Sequence, residues 1–190
     1  DLKGGAETNA NSARNIGVQV DEIDSANLNR HDHKLRHCDI IIDALFGTGL
    51  NKPATGFIEK VIDKINQLES VGKFVVSVDI NSGVDSDSGQ LMGPHVKSSL
   101  TLALAHWKQS HFLYPAAGVM GEVQLIDIGV PVKACEDQNI QVHQSENEDI
   151  KSYFQKRDPS SHKGSYGHVL VIAGSQGKGG AAGLTALAVL

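Results

Sequence analysis

The chain has 190 residues, 40% of them apolar and 21% charged, close to the averages for globular proteins, which excludes a disordered or fibrous chain. Its 17 basic and 22 acidic side chains give a formal net charge of −5, which argues against a nucleic-acid-binding or polybasic membrane-binding surface. A typical domain takes about 100–200 residues, so the length predicts one domain or slightly more.

The cysteines, the first residues and the apolar runs bear on location. Cys38 and Cys135 form no CxxC motif and are too few for a disulfide-stapled secreted domain. The first four residues are polar, unlike a secretory signal, and no apolar run approaches the roughly 18 residues of a membrane helix. We therefore expect a cytoplasmic protein. The chain lacks an initiator methionine and stops at Leu190 within an apolar, helix-like run, so we also expect a fragment.

Short apolar runs in the first 130 residues predict β-strands buried on both faces. These runs are residues 39–45, 73–80, 100–105 and 122–128. Between the first two, apolar residues at helical spacing predict a helix over 57–68, which Gly72 would end. Strands that alternate with helical or loop crossovers imply a parallel sheet covered on both faces, so we predict the α/β class.

The second part of the chain has a different character. Apolar residues thin out and acidic residues gather between 129 and 160, which predicts a domain boundary near 135–160 and a short helix over 146–154. Residues 167–174 then predict another buried strand, and residues 181–190 predict a helix.

Two of the predicted strands end in an aspartate that small residues follow. Asp43 precedes the string ALFGTGL and Asp79 precedes INSG. Ligands bind beyond the carboxyl ends of parallel strands, where a partly desolvated carboxylate can transfer protons or bind a cation. Gly47 and Gly49 would let backbone N–H groups approach a phosphate. The alternative is that the aspartates only cap the turns after them, but their repetition at two equivalent strand ends favours function.

Residues 174–183 follow a predicted strand and open a predicted helix, as a phosphate-binding loop does. They do not form a Walker A motif, because Gly179 rather than Ser or Thr follows Lys178. Gly177, Gly179 and Ala182 match the loose G-x-G-x-x-G/A pattern of dinucleotide-binding proteins. This weak pattern leaves a dinucleotide-dependent dehydrogenase as one alternative function.

Four segments, in this order, together resemble a single known family. They are DALFGTGL (43–50), SVDINSGVDSDSG (77–89), YPAAGVMGEVQLIDIGVP (114–131) and HKGSYGHVLVIAGSQGKGGAAGLTALAVL (162–190). The family is the bifunctional NAD(P)H-hydrate repair enzymes, in which an epimerase domain is fused to an ADP- or ATP-dependent dehydratase. The resemblance covers nearly the whole chain.

The resemblance implies a domain plan and two activities. Residues 1–135 would be the C-terminal part of a Rossmann-like, three-layer αβα epimerase domain, residues 136–160 a linker with an entry helix, and residues 161–190 the start of a ribokinase-like α/β domain. The first domain would interconvert the R and S forms of hydrated NAD(P)H, abbreviated NAD(P)HX. The second would use ADP or ATP to dehydrate S-NAD(P)HX to NAD(P)H. The family's NNGGDG loop and its C-terminal Gly-Asp motif are absent, so we expect the 190 residues to be inactive by themselves.

The resemblance also implies site residues. Asp43 would bind potassium at the catalytic centre, Ser82 would be the second potassium ligand, and Asp79 and Ala181 would contact the hydrated cofactor. Asn81 stands where many members of the family have proline. The loop around the substrate phosphates would consist of Gly47, Thr48, Gly49, Leu50, Asn51, Lys52 and Pro53.

These residues suit the implied chemistry. The carboxylate of Asp43 could assist loss and re-addition of the ring hydroxyl through a planar intermediate. The expected partner is a small dinucleotide, with no nucleic acid and no membrane, and a homo-oligomer stays open. The alternative from another class is a non-catalytic scaffold, because epimerase-like domains also resemble an apolipoprotein-binding protein and an mRNA-decapping scaffold.

Overall fold

The computed structural model describes residues 4–136, 138, 140–153 and 156–189. It divides into an N-terminal unit, Asp1–Asp137, and a C-terminal unit, Gln138–Leu190. The N-terminal unit begins with helix α1 (Gly5–Asn15), a 3-10 helix (Leu28–His31) and helix α2 (Asp32–His37). Helix α1 has no buried residue, whereas Leu35 of α2 packs against the core of the unit.

Four parallel strands form the sheet of the N-terminal unit: β1 (Ile40–Asp43), β2 (Phe74–Val78), β3 (Leu100–Leu104) and β4 (Glu122–Ile126). Their spatial order, β1-β2-β3-β4, is also their order along the chain. Each strand lies within one of the predicted apolar runs, so the predictions of four strands and of the α/β class are confirmed. Because all four strands run the same way, their carboxyl ends share one edge of the sheet.

Helix α3 (Phe57–Ser70) covers one face of the sheet and forms the main core. Its buried side chains Ile62, Ile65 and Leu68 recur every three residues along one side of the helix and pack with Ile41 of β1 and Val75 of β2. The predicted helix over 57–68 is confirmed and extends by two residues. The apolar side of α3 therefore packs against β1 and β2.

The opposite face of the sheet carries apolar side chains that stay exposed. Side chains alternate along a strand, so Ile40 and Ile42 point away from the face that Ile41 shares with α3. Ile40 and its register partner Phe74 are exposed, and Ile42 is 66% exposed. In the described part of the chain the sheet is therefore covered on one face only. The predictions of a sheet covered on both faces and of a three-layer arrangement are confirmed for that face alone.

The connections after β2 and β3 contain little regular structure. After β2, the chain crosses to β3 through residues 79–99, in which Val84 and Leu91 form an isolated antiparallel bridge. Two 3-10 helices, Gln109–His111 and Ala116–Val119, join β3 to β4. A second small core of Ile80, Val84, Ala116 and Met120 packs these loops together. Helix α4 (Val132–Glu136) follows the sheet.

The C-terminal unit contains helix α5 (Asn147–Lys151), a 3-10 helix (Lys163–Tyr166) and helix α6 (Gly180–Val189). Helix α5 lies within the helix predicted over 146–154, and α6 within that predicted over 181–190 apart from its first residue. Phe154 and Leu190 lie outside the described residues. No helix in the described part of the chain has the length and apolarity to cross a bilayer.

The buried strand predicted over 167–174 is not formed. Its residues pair with no other strand in the described part of the unit, and Leu170 and Ile172 are largely exposed. A strand exists only where a neighbour accepts and donates its backbone hydrogen bonds, and no described residue of this unit supplies that neighbour. The prediction was therefore wrong for the described residues, which also show no ribokinase-like domain.

Candidate functional site

Asp43, the last residue of β1, is fully buried and holds two loops together. Its Oδ2 accepts hydrogen bonds from the Ser77 hydroxyl and the Ser82 N–H, both at 2.9 Å. Its Oδ1 accepts from the Ser82 hydroxyl at 2.6 Å and from the Leu45 N–H at 3.3 Å. Burying a carboxylate without partners is costly, and four donors here satisfy both oxygens.

Ser82 connects this carboxylate to the loop that follows β1. Its hydroxyl oxygen accepts a hydrogen bond from the Phe46 N–H at 2.9 Å and lies 3.4 Å from the Phe46 carbonyl oxygen. Asp43 Oδ1, Ser82 Oγ and the Phe46 carbonyl oxygen therefore lie together. Carboxylate, hydroxyl and carbonyl oxygens are the ligands that hard cations take, so these residues fit a cation in chemical kind. Among the described residues, no group of three or more His, Cys, Asp or Glu side chains could hold a metal ion.

The predicted phosphate loop, residues 47–53, runs along the same edge of the sheet and is mostly exposed. Its first turn is closed by a hydrogen bond from the Leu50 N–H to the Gly47 carbonyl at 3.3 Å. A Cβ atom added at Gly47 or Gly49 would meet nothing within 4 Å. The two glycines therefore leave open space beside exposed backbone, which is the condition for a close approach by a ligand.

Asp79 directly follows β2 and lies in a tight turn with a left-handed backbone, φ 68°. The Ile80 N–H donates to the Val78 carbonyl at 2.9 Å across this turn. Ala105, directly after β3, has the same feature with φ 61°. Positive φ values in residues other than glycine are uncommon and concentrate at functional sites. Two turns with this uncommon backbone conformation therefore lie at the ends of neighbouring strands, on the same edge of the sheet.

The Asp79 carboxylate is held on one side only. Its Oδ1 accepts hydrogen bonds from the Leu104 N–H at 3.0 Å and from the Lys108 ammonium group. The Asp79 side chain is 22% exposed. None of the described residues donates to its Oδ2. Asp79 therefore presents one fixed and one free carboxylate oxygen, in contrast to Asp43.

His111 fixes the backbone of Asp79 from the neighbouring loop. Its Nε2 lies 2.9 Å from the Asp79 carbonyl, and its Nδ1 accepts from the Lys108 N–H at 3.1 Å. Nε2 must therefore carry the proton that it donates, which describes a neutral imidazole. Burial is the main cause that lowers the pKa of His111, and the positive charge of Lys108 lowers it further.

Asn81 is a fully buried polar hub beneath the site. Its Nδ2 lies 2.9 Å from each of the Val96 and Val119 carbonyl oxygens and the Ser98 hydroxyl. Its Oδ1 accepts from the Thr101 hydroxyl at 2.7 Å. The side chain therefore connects the turn after β2 to β3 and to the chain before β4, and so supports Ser82 beside it.

Comparison with known proteins identifies the family of the chain. Residues 1–110 match the family model described as YjeF-related protein N-terminus. The chain is a member of the YjeF N-terminal family. This confirms the family resemblance found in the sequence for the N-terminal unit.

The relatives of this YjeF-type chain include proteins named bifunctional NAD(P)H-hydrate repair enzyme Nnr. That of Thermofilum pendens is 34% identical over 175 residues, 92% of this chain and 32% of the relative. That of Moorella thermoacetica is 33% identical over 191 residues, 100% of this chain and 36% of the relative. The chain thus spans about a third of the length of these curated relatives.

A solved structure has the same fold. The crystal structure of the yeast protein ynu0 (YNL200c) aligns with a TM-score of 0.55 and 18% sequence identity, covering 76% of this chain and 58% of the yeast chain. At this identity the match supports the α/β fold of the YjeF-type domain and nothing further.

The structure places most of the predicted site residues along one edge of the sheet. Asp43 and Ser82 are in contact, and Asp79 follows the neighbouring strand. Ala181 lies in the other unit, exposed in the first turn of α6. The roles of all these residues stay predictions.

The sequence reasoning missed Lys108 and His111. Both follow β3, as Asp79 follows β2 and Asp43 ends β1, so the rule that selected the two aspartates could have selected this loop as well. For Asn81, the sequence indicated only that many members of the family have proline at this position.

Replacing the buried hub should destabilise the N-terminal unit. Asn81→Ala removes four hydrogen bonds and leaves the buried carbonyl of Val96 without a partner, so we expect the free energy of unfolding to fall by about 2–3 kcal/mol. Denaturant unfolding monitored by the fluorescence of Trp107, the single tryptophan, measures this unit. Asn29→Ala, at an exposed position, should change stability by less than about 0.5 kcal/mol. An unchanged midpoint in Asn81→Ala would contradict the role of the hub.

Stability should depend on pH through His111. The folded protein holds this imidazole neutral with a lowered pKa, whereas the unfolded chain protonates it near its ordinary value of about 6.5. Its contribution is therefore complete above about pH 6.5 and is lost as the pH falls through the lower, folded pKa. The thermal midpoint should drop between about pH 7 and pH 5.

The variant His111→Gln should lose part of this pH dependence, while His33→Gln, which removes an exposed imidazole, should retain it. Thermal midpoints rather than fluorescence intensities are compared, because the rings of Trp107 and His111 meet edge to face with their centroids 5.7 Å apart. Replacing His111 therefore changes the surroundings of the fluorophore itself. Equal slopes of midpoint against pH in the wild type and His111→Gln would refute the assignment.

Proposed function

We propose that the N-terminal unit binds hydrated NAD(P)H and interconverts its R and S epimers. One observation carries the proposal: the chain belongs to the YjeF N-terminal family and has two aspartates at the ends of neighbouring parallel strands, beside an open glycine loop. The names of its relatives, which refer to NAD(P)H-hydrate repair, support the choice of substrate. A dinucleotide suits an edge where a loop can meet phosphates while carboxylates meet the ring.

The geometry supports a division of roles between the two aspartates. Both oxygens of Asp43 are already bonded to protein donors and buried, so in this proposal Asp43 shapes the centre. Asp79 keeps Oδ2 free and is the better placed of the two to exchange a proton with the substrate. The proton-transfer role predicted for Asp43 from the sequence is thus proposed here for Asp79.

The proposed reaction needs one proton-transfer group and no redox change. Asp79 Oδ2 would take up a proton from solvent and give it to the ring hydroxyl as the carbon–oxygen bond breaks, and the bonding pair would leave with the water molecule that forms. The ring carbon becomes planar and loses its stereochemistry. Water then adds to the opposite face and releases a proton to solvent, which replaces the proton that Asp79 took up, so atoms and charge balance.

Potassium belongs to the proposal as an ion held by Asp43, Ser82 and the Phe46 carbonyl. When bound, it would supply a positive charge that balances the buried carboxylate. The ADP- or ATP-dependent dehydration of S-NAD(P)HX is proposed only for the complete gene product.

The epimerase proposal is tested on the complete gene product that carries this chain. Chromatographic separation of the R and S hydrates measures how fast a sample enriched in one epimer equilibrates. We expect Asp79→Asn to slow equilibration by about 100-fold or more, because loss of a general acid–base group typically costs that much.

Matched variants give the test its controls. Asp43→Asn should also slow equilibration but, unlike Asp79→Asn, should lower the thermal midpoint, because Asp43 connects two loops. Asp63→Asn, on the exposed side of α3, should behave as wild type. The proposal fails if the wild-type protein leaves the epimer ratio unchanged, or if Asp79→Asn keeps full activity.

Potassium binding has a readout that does not depend on activity. Potassium chloride should raise the thermal midpoint of the N-terminal unit above that in choline chloride at equal concentration, because only the metal ion can take the oxygen ligands. Asp43→Asn should remove the difference between the two salts. Identical midpoints for the wild type in both salts would rule out the cation site.

A further inference from the structure

The connection between Lys108 and Asp79 is the strongest feature that the proposed function leaves unused. The Lys108 ammonium group pairs with Asp79 Oδ1 and also donates to the Leu104 carbonyl at 2.8 Å. Its side chain is only 19% exposed. Ion pairs at exposed surfaces contribute little because both side chains are mobile and solvated. This pair differs, since its lysine has a second partner and is largely shielded from water.

The end of β3 and the loop that carries Lys108 together hold Asp79 at three points. Lys108 and the Leu104 N–H hold Oδ1 of the carboxylate, and His111 donates to the main-chain carbonyl. His111 in turn accepts from the Lys108 N–H, which fixes the position of Lys108 itself. The carboxylate and the backbone of Asp79 are therefore fixed by one short segment, residues 104–111, which begins at the last residue of β3.

The backbone of Asp79 needs such support. Its left-handed conformation, φ 68°, is unfavourable for a residue with a side chain and persists only where surrounding contacts determine it. The same turn after β3, at Ala105, brings Lys108 back toward β2. With His111 neutral, Lys108 supplies the positive charge of this cluster.

We propose that Lys108 is a positioning residue: it fixes Asp79 Oδ1 so that Oδ2 faces the substrate. This inference rests on the proposed function, in which Asp79 Oδ2 exchanges the proton. Lys108 itself does not touch the substrate. Displacing a reacting group by about 1 Å can cost 100-fold in rate, so fixing one oxygen of a carboxylate has a large effect on the other.

The kinetic test uses Lys108→Met, Lys108→Gln and Lys108→Arg in the complete gene product, with R-NADPHX as substrate. We expect Lys108→Met to lower kcat by about tenfold or more while KM stays within about twofold, since an interaction made through Asp79 affects the reaction rather than binding. Lys108→Arg, which keeps a cation, should recover part of kcat. Lys108→Gln keeps only an N–H donor, so its kcat should lie between those of Lys108→Met and Lys108→Arg. Lys97→Met, an exposed lysine in the same unit, should match the wild type.

A second measurement is independent of activity. The Leu104 amide donates to Asp79 Oδ1, so Lys108→Met should speed its hydrogen exchange, while the Ala105 amide, bonded to the Ile126 carbonyl at 2.9 Å, should be unaffected. Faster exchange at both amides would mean general loosening of the sheet and would overturn the proposal, as would no change at Leu104. If Lys108→Met does not fold, Lys108→Gln is used for both measurements.

The two proposals fail in different ways. A wild-type protein that leaves the epimer ratio unchanged refutes the proposed function, and the exchange of the Leu104 amide then still decides whether Lys108 positions Asp79. A raised KM at unchanged kcat in the Lys108 variants would show direct substrate contact and overturn the positioning role. Wild-type kcat in Lys108→Met would overturn it as well.

Discussion

The site depends on one buried carboxylate. Asp43 has no exposed surface, and an isolated charge in such a place would cost several kcal/mol. Four donors from the loops after β1 and β2, and from β2 itself, remove that cost. The parallel register makes this geometry available, because it sets Ser77 directly beside Asp43. Removing the charge or its donors would release both loops at once, so the edge of the sheet forms a single unit.

Two aspartates with the same sequence pattern end up in different surroundings. Asp43 is enclosed and has both oxygens bonded, whereas Asp79 is partly exposed and has one oxygen bonded. Pairs of carboxylates whose surroundings differ commonly divide the work of a site between structure and proton transfer. The difference arises from the partner loop: serines surround Asp43, while a lysine and a neutral histidine hold Asp79.

Local patterns predicted the sheet well, and long-range contacts limited the rest. The four strands and α3 followed from apolar runs and helical spacing, and the strand-end rule placed Asp43 and Asp79 at one edge. Lys108 and His111 contact Asp79 across 29 and 32 residues, which no local pattern reveals. The strand predicted over 167–174 failed for the same reason, because strand formation depends on a neighbour. Ile42 lies on the exposed face of the sheet. Its apolar side chain favours burial, but burial also needs a helix or loop that packs over that face.

The residue at position 79 meets two demands that are usually separate. The turn after β2 requires a left-handed backbone, which aspartate and asparagine tolerate better than other residues with side chains. The neighbouring turn meets the same demand with Ala105, so the backbone shape alone does not require a charge. The conformation of the turn therefore does not account for the carboxylate at position 79. Its Oδ1 is bonded by Lys108 and Leu104 while Oδ2 stays free, so what the aspartate adds to the turn is one oriented carboxylate oxygen at the edge where the parallel strands end.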